Sequence, residues 1–186
     1  MRYIFIVFVL FFLSGCLSYS KNPLTKLDDQ KIDTKLYGTW YYKDGGGEIG
    51  YVHIGLDRKS KQLKIVMTSL NEKGAISSNE FIGHTSVFED SSYLNLKWVN
   101  PQPNQNGYMV QKYVLNDNML DILFLNSKMI IKAIEDEQIH GTVDKSQRRP
   151  IITIQEDSEI LKDYVIKRDK DLFLMPMHLL KLTITK

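Results

Sequence analysis

The stretch EIGYVHIGLDRKSKQLKIVMTSL, residues 48–70, decides how the rest of the chain is interpreted. Apolar side chains alternate with polar or small ones on both sides of the polar turn Arg58-Lys59-Ser60. Because successive side chains of a strand point to opposite faces, this period of two predicts a hairpin with one buried face. The alternating apolar positions are Val52, Ile54 and Leu56 before the turn and Leu63, Ile65 and Met67 after it.

Short apolar runs of the same kind occupy most of the chain on either side of this hairpin. Runs of this length, separated by turn residues every 8–12 positions, are typical of a β-barrel or a β-sandwich. The polar segments Asn71–Asn79 and Pro101–Gly107 are predicted to be long loops. The other predicted strands are Leu36–Lys43, Phe81–Glu89, Tyr93–Asn100, Tyr108–Asn116, Met119–Asn126, Lys128–Glu135, Ile139–Asp144 and Ile151–Gln155.

One segment near the end has helical spacing instead. In Asp157–Phe173 the apolar residues recur at intervals of three and four, and Asp157 or Ser158 can cap the first turn. Pro176 is predicted to end this element, and Met177–Thr185 to form a final strand. The apolar stripe of the predicted helix consists of Ile160, Leu161, Tyr164, Val165, Leu172 and Phe173.

The first fifteen residues have the features of a secretory signal. Arg2 is followed by the unbroken apolar run Tyr3–Leu13 and then by small residues. The sequence Leu13-Ser14-Gly15-Cys16 resembles the lipobox of bacterial lipoproteins and contains the only cysteine of the chain. The resemblance implies cleavage before Cys16, a thioether-linked lipid on its sulfur, and attachment to the membrane through acyl chains such as palmitate.

Two alternatives to the lipoprotein remain open at this stage. One is an uncleaved membrane helix, since the 18 residues from Tyr3 to Ser20 carry no charge, and the other is ordinary secretion. Residues 16–35 are polar and without a sustained period, so we expect a tether between Cys16 and the folded domain. Leu17 follows the cysteine, which by resemblance to the sorting rule of enteric-type bacteria implies the periplasmic face of the outer membrane in a Gram-negative host.

A second resemblance concerns the start of the domain, residues 36–186. Gly38-Thr39-Trp40 on the first predicted strand is similar to the G-x-W motif of lipocalins and other calycins. This resemblance implies a mainly β fold, namely an antiparallel lipocalin-like barrel with one C-terminal helix and a short last strand. It also implies that Gly38 and Trp40 close one end of the barrel. The arginine that packs on this tryptophan in lipocalins has no evident counterpart among Arg148, Arg149, Lys181 and Lys186.

Composition and motifs exclude several functional classes. Of 186 residues 43% are hydrophobic and 25% are charged, which is typical of one globular domain. The formal net charge of +2 does not favour a nucleic-acid partner, whose binding depends on clustered cations. His53, His84, His140 and His178 lack the close spacing of a metal site. We therefore expect no metal, no cofactor, no catalytic residues and no enzymatic activity.

Two kinds of function fit this combination of anchor and barrel. The first is a binding module for a small apolar ligand or for another envelope protein. The second is an inhibitor of an envelope enzyme, or an assembly factor, that uses an exposed β surface. An unfilled apolar cavity in the barrel favours the first, whereas a filled core with an exposed aromatic patch favours the second.

Overall fold

The computed structural model describes residues 17–26, 32–43, 49–70, 74–146 and 150–183. The predicted signal peptide and Cys16 lie outside these residues. A 3-10 turn, Thr34–Leu36, precedes the second strand. The strands are β1 (Leu17–Ser20), β2 (Gly38–Lys43), β3 (Ile49–Asp57), β4 (Gln62–Leu70), β5 (Ile76–Phe88), β6 (Ser91–Trp98), β7 (Met109–Asn116), β8 (Met119–Leu125), β9 (Gly141–Asp144), β10 (Ile151–Ile154) and β11 (Phe173–Lys181), and the helices are α1 (Ser127–Glu135) and α2 (Ser158–Leu172).

Eight antiparallel strands form a closed barrel in the order β11-β2-β3-β4-β5-β6-β7-β8. The register of the hairpin β3–β4 pairs Ile54 with Ile65 and Val52 with Met67, so the alternating apolar residues share the inner face. The predicted fold class is therefore confirmed: the protein is mainly β, with an antiparallel barrel and a helix that directly precedes the last strand.

The two ends of the barrel differ. At one end, which we call the Trp40 end, β2 begins and β11 finishes. Residues 32–36 cross this end, where the Asp33 amide donates to Thr85 Oγ1 at 3.2 Å and the Tyr113 hydroxyl donates to the Asp33 carboxylate at 3.0 Å. At the opposite end, which we call the distal end, β8 finishes at Leu125 and β7 begins.

A small second sheet, ordered β1-β10-β9, lies beside the barrel. The predicted strands Ile139–Asp144 and Ile151–Gln155 correspond to β9 and β10 of this sheet. They do not continue the antiparallel run of the barrel, which closes through β8 and β11 without them. The expected tether is partly wrong. Its described residues 17–26 contain β1, which pairs in parallel with β10, and the fully buried Leu24.

The segment predicted as the strand Lys128–Glu135 is helix α1. Its isoleucines favour a strand locally, but Ile130 and Ala133 are three residues apart and both are buried on one face of the helix. The longer-range packing of this face against the second sheet outweighs the local preference of the β-branched residues.

Helix α2 lies near its predicted position and helps to form a second core outside the barrel. Leu161, Val165 and Leu172 are buried there against the outer wall, where Tyr93 of β6 contributes its ring. Ile160, predicted to belong to the buried stripe, is half exposed. The second core therefore uses a narrower face of the helix than the sequence suggests.

Two strands, β5 and β11, begin several residues before their predicted first residues. β5 begins at Ile76, inside the predicted loop Asn71–Asn79, because it pairs with β4 as far as Leu70. β11 begins at Phe173 rather than Met177, and Pro176 lies inside it where the register with β8 shifts between Leu174 and Met177. Proline has no amide hydrogen to donate to a ladder, so it is accommodated at such an irregularity instead of ending the element.

Candidate functional site

The barrel contains an apolar cavity of about 170 Å³. Side chains from seven of the barrel strands line it, and all but one of these described side chains are hydrocarbon or thioether groups. The lining residues are Val52, Ile54, Ile65, Met67, Phe81, Leu94, Leu96, Met109, Gln111, Ile122, Phe124, Met177 and Leu179.

The chemistry of this lining suits an apolar guest with few polar atoms. Gln111 supplies the only side-chain amide among the lining residues. Three methionines, Met67, Met109 and Met177, belong to the wall, and their unbranched side chains can adjust to irregular shapes. Cavities of about 150 Å³ lined by Leu, Ile and Phe stay dry and bind molecules the size of benzene. The barrel cavity is of that size.

Trp40 fills the other part of the interior. Its side chain is completely buried, and its indole Nε1 donates a hydrogen bond to the Leu36 carbonyl at 2.9 Å. Gly38, two residues earlier, has φ +138°, a conformation that favours glycine. A Cβ at Gly38 would also lie 3.1 Å from Lys181 Cε. The glycine therefore permits both the backbone turn and the close approach of the last strand.

Lys181, at the end of β11, occupies the position for which sequence analysis found no cation. It pairs with Trp40 across the strands, and its Nζ lies 5.0 Å from the centroid of the Trp40 ring. The same Nζ lies 3.5 Å from the Lys35 carbonyl oxygen, to which it donates. The sequence predicts a last strand that continues to Thr185, whereas β11 ends at Lys181. The pairing of Lys181 with Trp40 joins segments that are far apart in the sequence, so the local pattern does not reveal it.

The outer wall of the barrel carries a polar seam under residues 17–26. Asn95 on β6 is completely buried, and its Oδ1 accepts from the Leu24 amide at 2.7 Å while its Nδ2 donates to Ser86 Oγ at 2.9 Å. Thr25 Oγ1 donates to the same Ser86 oxygen at 2.6 Å. This network attaches the N-terminal segment to β5 and β6 through specific hydrogen bonds.

His84 belongs to the same seam. Its Nε2 donates to the Thr25 carbonyl at 2.8 Å, and its ring meets Tyr108 edge-on with centroids 6.2 Å apart. Burial lowers the pKa of the His84 imidazole, and the hydrogen bond to Thr25 opposes this shift only in part. Its Nδ1 and the hydroxyl of Ser20 are buried without a hydrogen-bond partner among the described residues. The neutral imidazole is the form that this site favours.

Helix α2 is joined to the outer wall by one carboxylate. Asp169 accepts from the Tyr93 hydroxyl at 2.7 Å, from Ser91 Oγ at 3.0 Å and from Lys112 Nζ. Burial by itself would raise the pKa of Asp169, but the hydrogen bonds from Lys112, Tyr93 and Ser91 outweigh it and hold the pKa below its usual value. The ionised carboxylate therefore stabilises the docking of the helix.

The other three histidines of the sequence lie at separate places on the protein. His53 is exposed on β3 beside Thr39, His140 contacts Glu156, and His178 contacts Asp121. In the part of the chain that the structure describes, no group of three or more His, Cys, Asp or Glu residues is placed to hold a metal ion. Within the same residues, no helix has the length and apolar character needed to cross a bilayer.

Comparisons with known proteins find no relative of this chain. No protein-family model matches the chain, and neither a curated protein nor a solved structure matches it. The likeness to lipocalins therefore rests on Gly38, Trp40 and Lys181 and on the order of the elements. The predicted lipidation site, Cys16, lies outside the described residues.

Proposed function

We propose that this protein is a lipid-anchored envelope lipoprotein that acts as a non-enzymatic binding module for a small apolar ligand. The observation that carries the proposal is the cavity of about 170 Å³, whose wall is almost entirely apolar. Transfer of apolar surface out of water is favourable by roughly 25 cal/mol per Å². A preformed space with such a wall therefore favours an apolar guest over water.

The anchor in this proposal is the lipid on Cys16. It is supported by the basic start, the apolar run and the lipobox-like Leu13-Ser14-Gly15-Cys16. Two or three acyl chains bind a bilayer stably, since each buried methylene contributes about 0.8 kcal/mol. In a Gram-negative host, Leu17 after the cysteine favours the outer membrane and hence a domain on its periplasmic side.

The size of the cavity limits the ligand. Sites for drug-sized molecules usually enclose about 300–1,000 Å³, so a cavity of about 170 Å³ suits only a smaller group. A single ring, or the end of an acyl chain, fits this volume. Gln111 is the one lining side chain that offers a hydrogen bond to a polar atom of the ligand.

The test is native mass spectrometry of the full-length protein extracted gently from its own membrane. We expect a mass for a chain that begins at Cys16 and carries acyl groups, together with an adduct of a small apolar molecule. Val52→Phe, which fills the cavity from β3, should reduce the adduct by at least tenfold. Val114→Phe is the matched control, because Val114 is exposed and does not line the cavity.

Separate outcomes contradict the two parts of the proposal. If Cys16→Ala still gives a processed, acylated product, the anchor assignment is wrong. If no adduct is found, and if short-chain alkanes or benzene added to the purified protein bind equally to the wild type and to Val52→Phe, the cavity is not a binding site.

A further inference from the structure

The N-terminal strand begins at the distal end of the barrel. Ser18 Oγ lies 3.4 Å from Ser127 Oγ, and Ser127 is the second residue after the distal end of β8. Ser20 exchanges two backbone hydrogen bonds of 2.7 Å with Tyr108, just before β7 begins. Leu17, which directly follows Cys16 in the sequence, therefore belongs to a strand that is docked at this end.

At the same end, β5 projects beyond its neighbour β6, and β4, β3 and β2 pair alongside the projecting part of the wall. Phe81 of β5 pairs with Trp98, the last residue of β6. Residues 76–80 of β5 continue past this pair, which at about 3.3 Å per residue extends the wall by roughly 16 Å. The barrel therefore has one raised side at its distal end.

The tip of the outer face of this raised side is apolar and exposed. Ile49 pairs with Leu70, and Leu70 pairs with Ile76, so the three side chains are cross-strand neighbours. All three are exposed, Ile76 to 76%. Tyr51, two residues along β3 on the same face, is exposed as well. We call Ile49, Leu70 and Ile76 the apolar lip.

We propose that the distal end of the barrel rests on the membrane and that the apolar lip inserts into the headgroup region of the bilayer that holds the lipid of Cys16. This inference rests on the proposed lipidation. The chain leaves no spacer between the anchor and the domain, so the end that carries β1 stays within reach of the bilayer surface. Three adjacent exposed aliphatic side chains at that end are then shielded from water by lipid.

Charged residues near the anchor fit the same orientation. Leu17 pairs with Ile151 and Ile151 with Asp144, so Lys145 follows at the end of the small sheet where β1 starts. Lys128, in the first turn of α1, is exposed next to Ser127. Lys145 Nζ lies 3.7 Å from Glu135 and is still largely exposed. Both ammonium groups are placed to meet lipid phosphates, which attract cations at the membrane surface.

The experiment uses the full-length lipidated protein in phospholipid vesicles. A thioether on Cys16 leaves the chain without a free thiol, so an introduced cysteine can be labelled alone with a polarity-sensitive fluorophore. Leu70→Cys places the label on the lip. Leu56→Cys is the matched control, because Leu56 is 49% exposed against 48% for Leu70 and lies near the other end of the same hairpin, at the Trp40 end. Ile76→Cys provides a second label on the lip.

We expect the labels at positions 70 and 76 to be quenched by nitroxide-labelled lipids and to be at least threefold less sensitive to aqueous iodide than the label at position 56. Equal sensitivity to iodide at all three positions would overturn the inference. Protection from iodide without quenching by lipid would also overturn it, because a protein surface would then cover the lip.

The same measurement separates this inference from the proposed function. Two labels per chain would show that Cys16 is free, which overturns the anchor and the inference together. An empty cavity in native mass spectrometry, combined with quenching of the lip by lipid, would contradict ligand binding and leave the membrane orientation established.

Discussion

The interior of the barrel and the seam on its outer wall are both buried, but different interactions hold them. The interior is formed by side chains such as Leu63, Leu120 and Leu179, which pack without directed bonds. In the seam, Asn95 and His84 are completely buried and hydrogen-bonded to residues 24–25. Apolar packing depends on volume, whereas buried polar groups require a partner in one geometry.

This difference separates the two tasks that we propose for the domain. An interior stabilised by apolar packing can contain a cavity and accept a guest without breaking a specific hydrogen bond. A seam held by hydrogen bonds fixes where residues 17–26 lie, and hence where the chain leaves the domain toward Cys16. The following changes test the interior, the seam and the contact of α2 with the outer wall one at a time.

The largest expected effect is in the interior. Trp40→Ala removes a completely buried ring and its hydrogen bond to Leu36, so it should lower the free energy of unfolding by roughly 3–5 kcal/mol. Urea unfolding of residues 17–186 measures this loss, and a shorter chain starting at residue 22 would remove β1. Trp98→Ala is the control, since Trp98 is only partly buried. Equal losses for the two variants would mean that Trp40 is not the central residue of this core.

The next effect is in the seam. Asn95→Ala leaves the Leu24 amide without its acceptor, and a buried unsatisfied donor costs about 1–3 kcal/mol. Hydrogen exchange should become faster for residues 20–26 while the amides of β3 and β4 keep their protection. Asn116→Ala, at an exposed position, should leave hydrogen exchange unchanged both in residues 20–26 and in β3 and β4. Uniform loss of protection across the barrel would show that the seam and the interior are one cooperative unit.

A smaller effect is expected where α2 meets the wall. Asp169→Asn keeps an acceptor oxygen for Tyr93 but loses the charge that faces Lys112, so the loss should be about 1 kcal/mol. Because the pKa of Asp169 is lowered, its contribution is present above the carboxyl's usual value and disappears as the pH falls below it. The variant should therefore lose less stability on acidification than Asp163→Asn, its exposed control on the same helix. Identical acid profiles would contradict this role.

The smallest effect is the pH dependence of the free energy of unfolding that arises from His84 in the seam. The lowered pKa of His84 means that the unfolded chain takes up a proton near its usual value of about 6.5 before the folded protein does. Stability is therefore full above that value and falls below it, by at most about 0.7 kcal/mol between pH 7 and pH 6. His84→Gln should flatten this slope, and His53→Gln, at an exposed position, should not. Thermal unfolding at closely spaced pH values measures the difference, and parallel slopes for both variants would exclude His84 as its source.

The alternation of apolar and polar residues within single strands predicts most of the barrel. Val52, Ile54 and Ile65 face inward as their period requires, and the helical spacing around Leu161 and Val165 corresponds to α2. These features depend on neighbours within a few residues, which is the range over which sequence patterns carry information.

The features that sequence analysis missed depend on contacts between distant segments. Residues 127–135 contain isoleucines suited to a strand and become α1 through packing. β1 forms only because β10, more than 130 residues later, lies beside it. The sequence alone leaves a cavity and a filled core as alternatives, because the volume inside the barrel follows from how eight strands close and from no single residue.

The parallel pairing of β1 with β10 also has a mechanical consequence. A force on Cys16 directed along β1 loads the contacts from Leu17 to Ser20 together, in shear, and is resisted further by the bonds of Ser20 to Tyr108 and of Lys21 to Ile154. A force across the strand instead peels it from Leu17, one residue at a time. The joint is therefore strong in one direction and weak in the other, and it would yield more readily if the lipid proposed on Cys16 were pulled sideways.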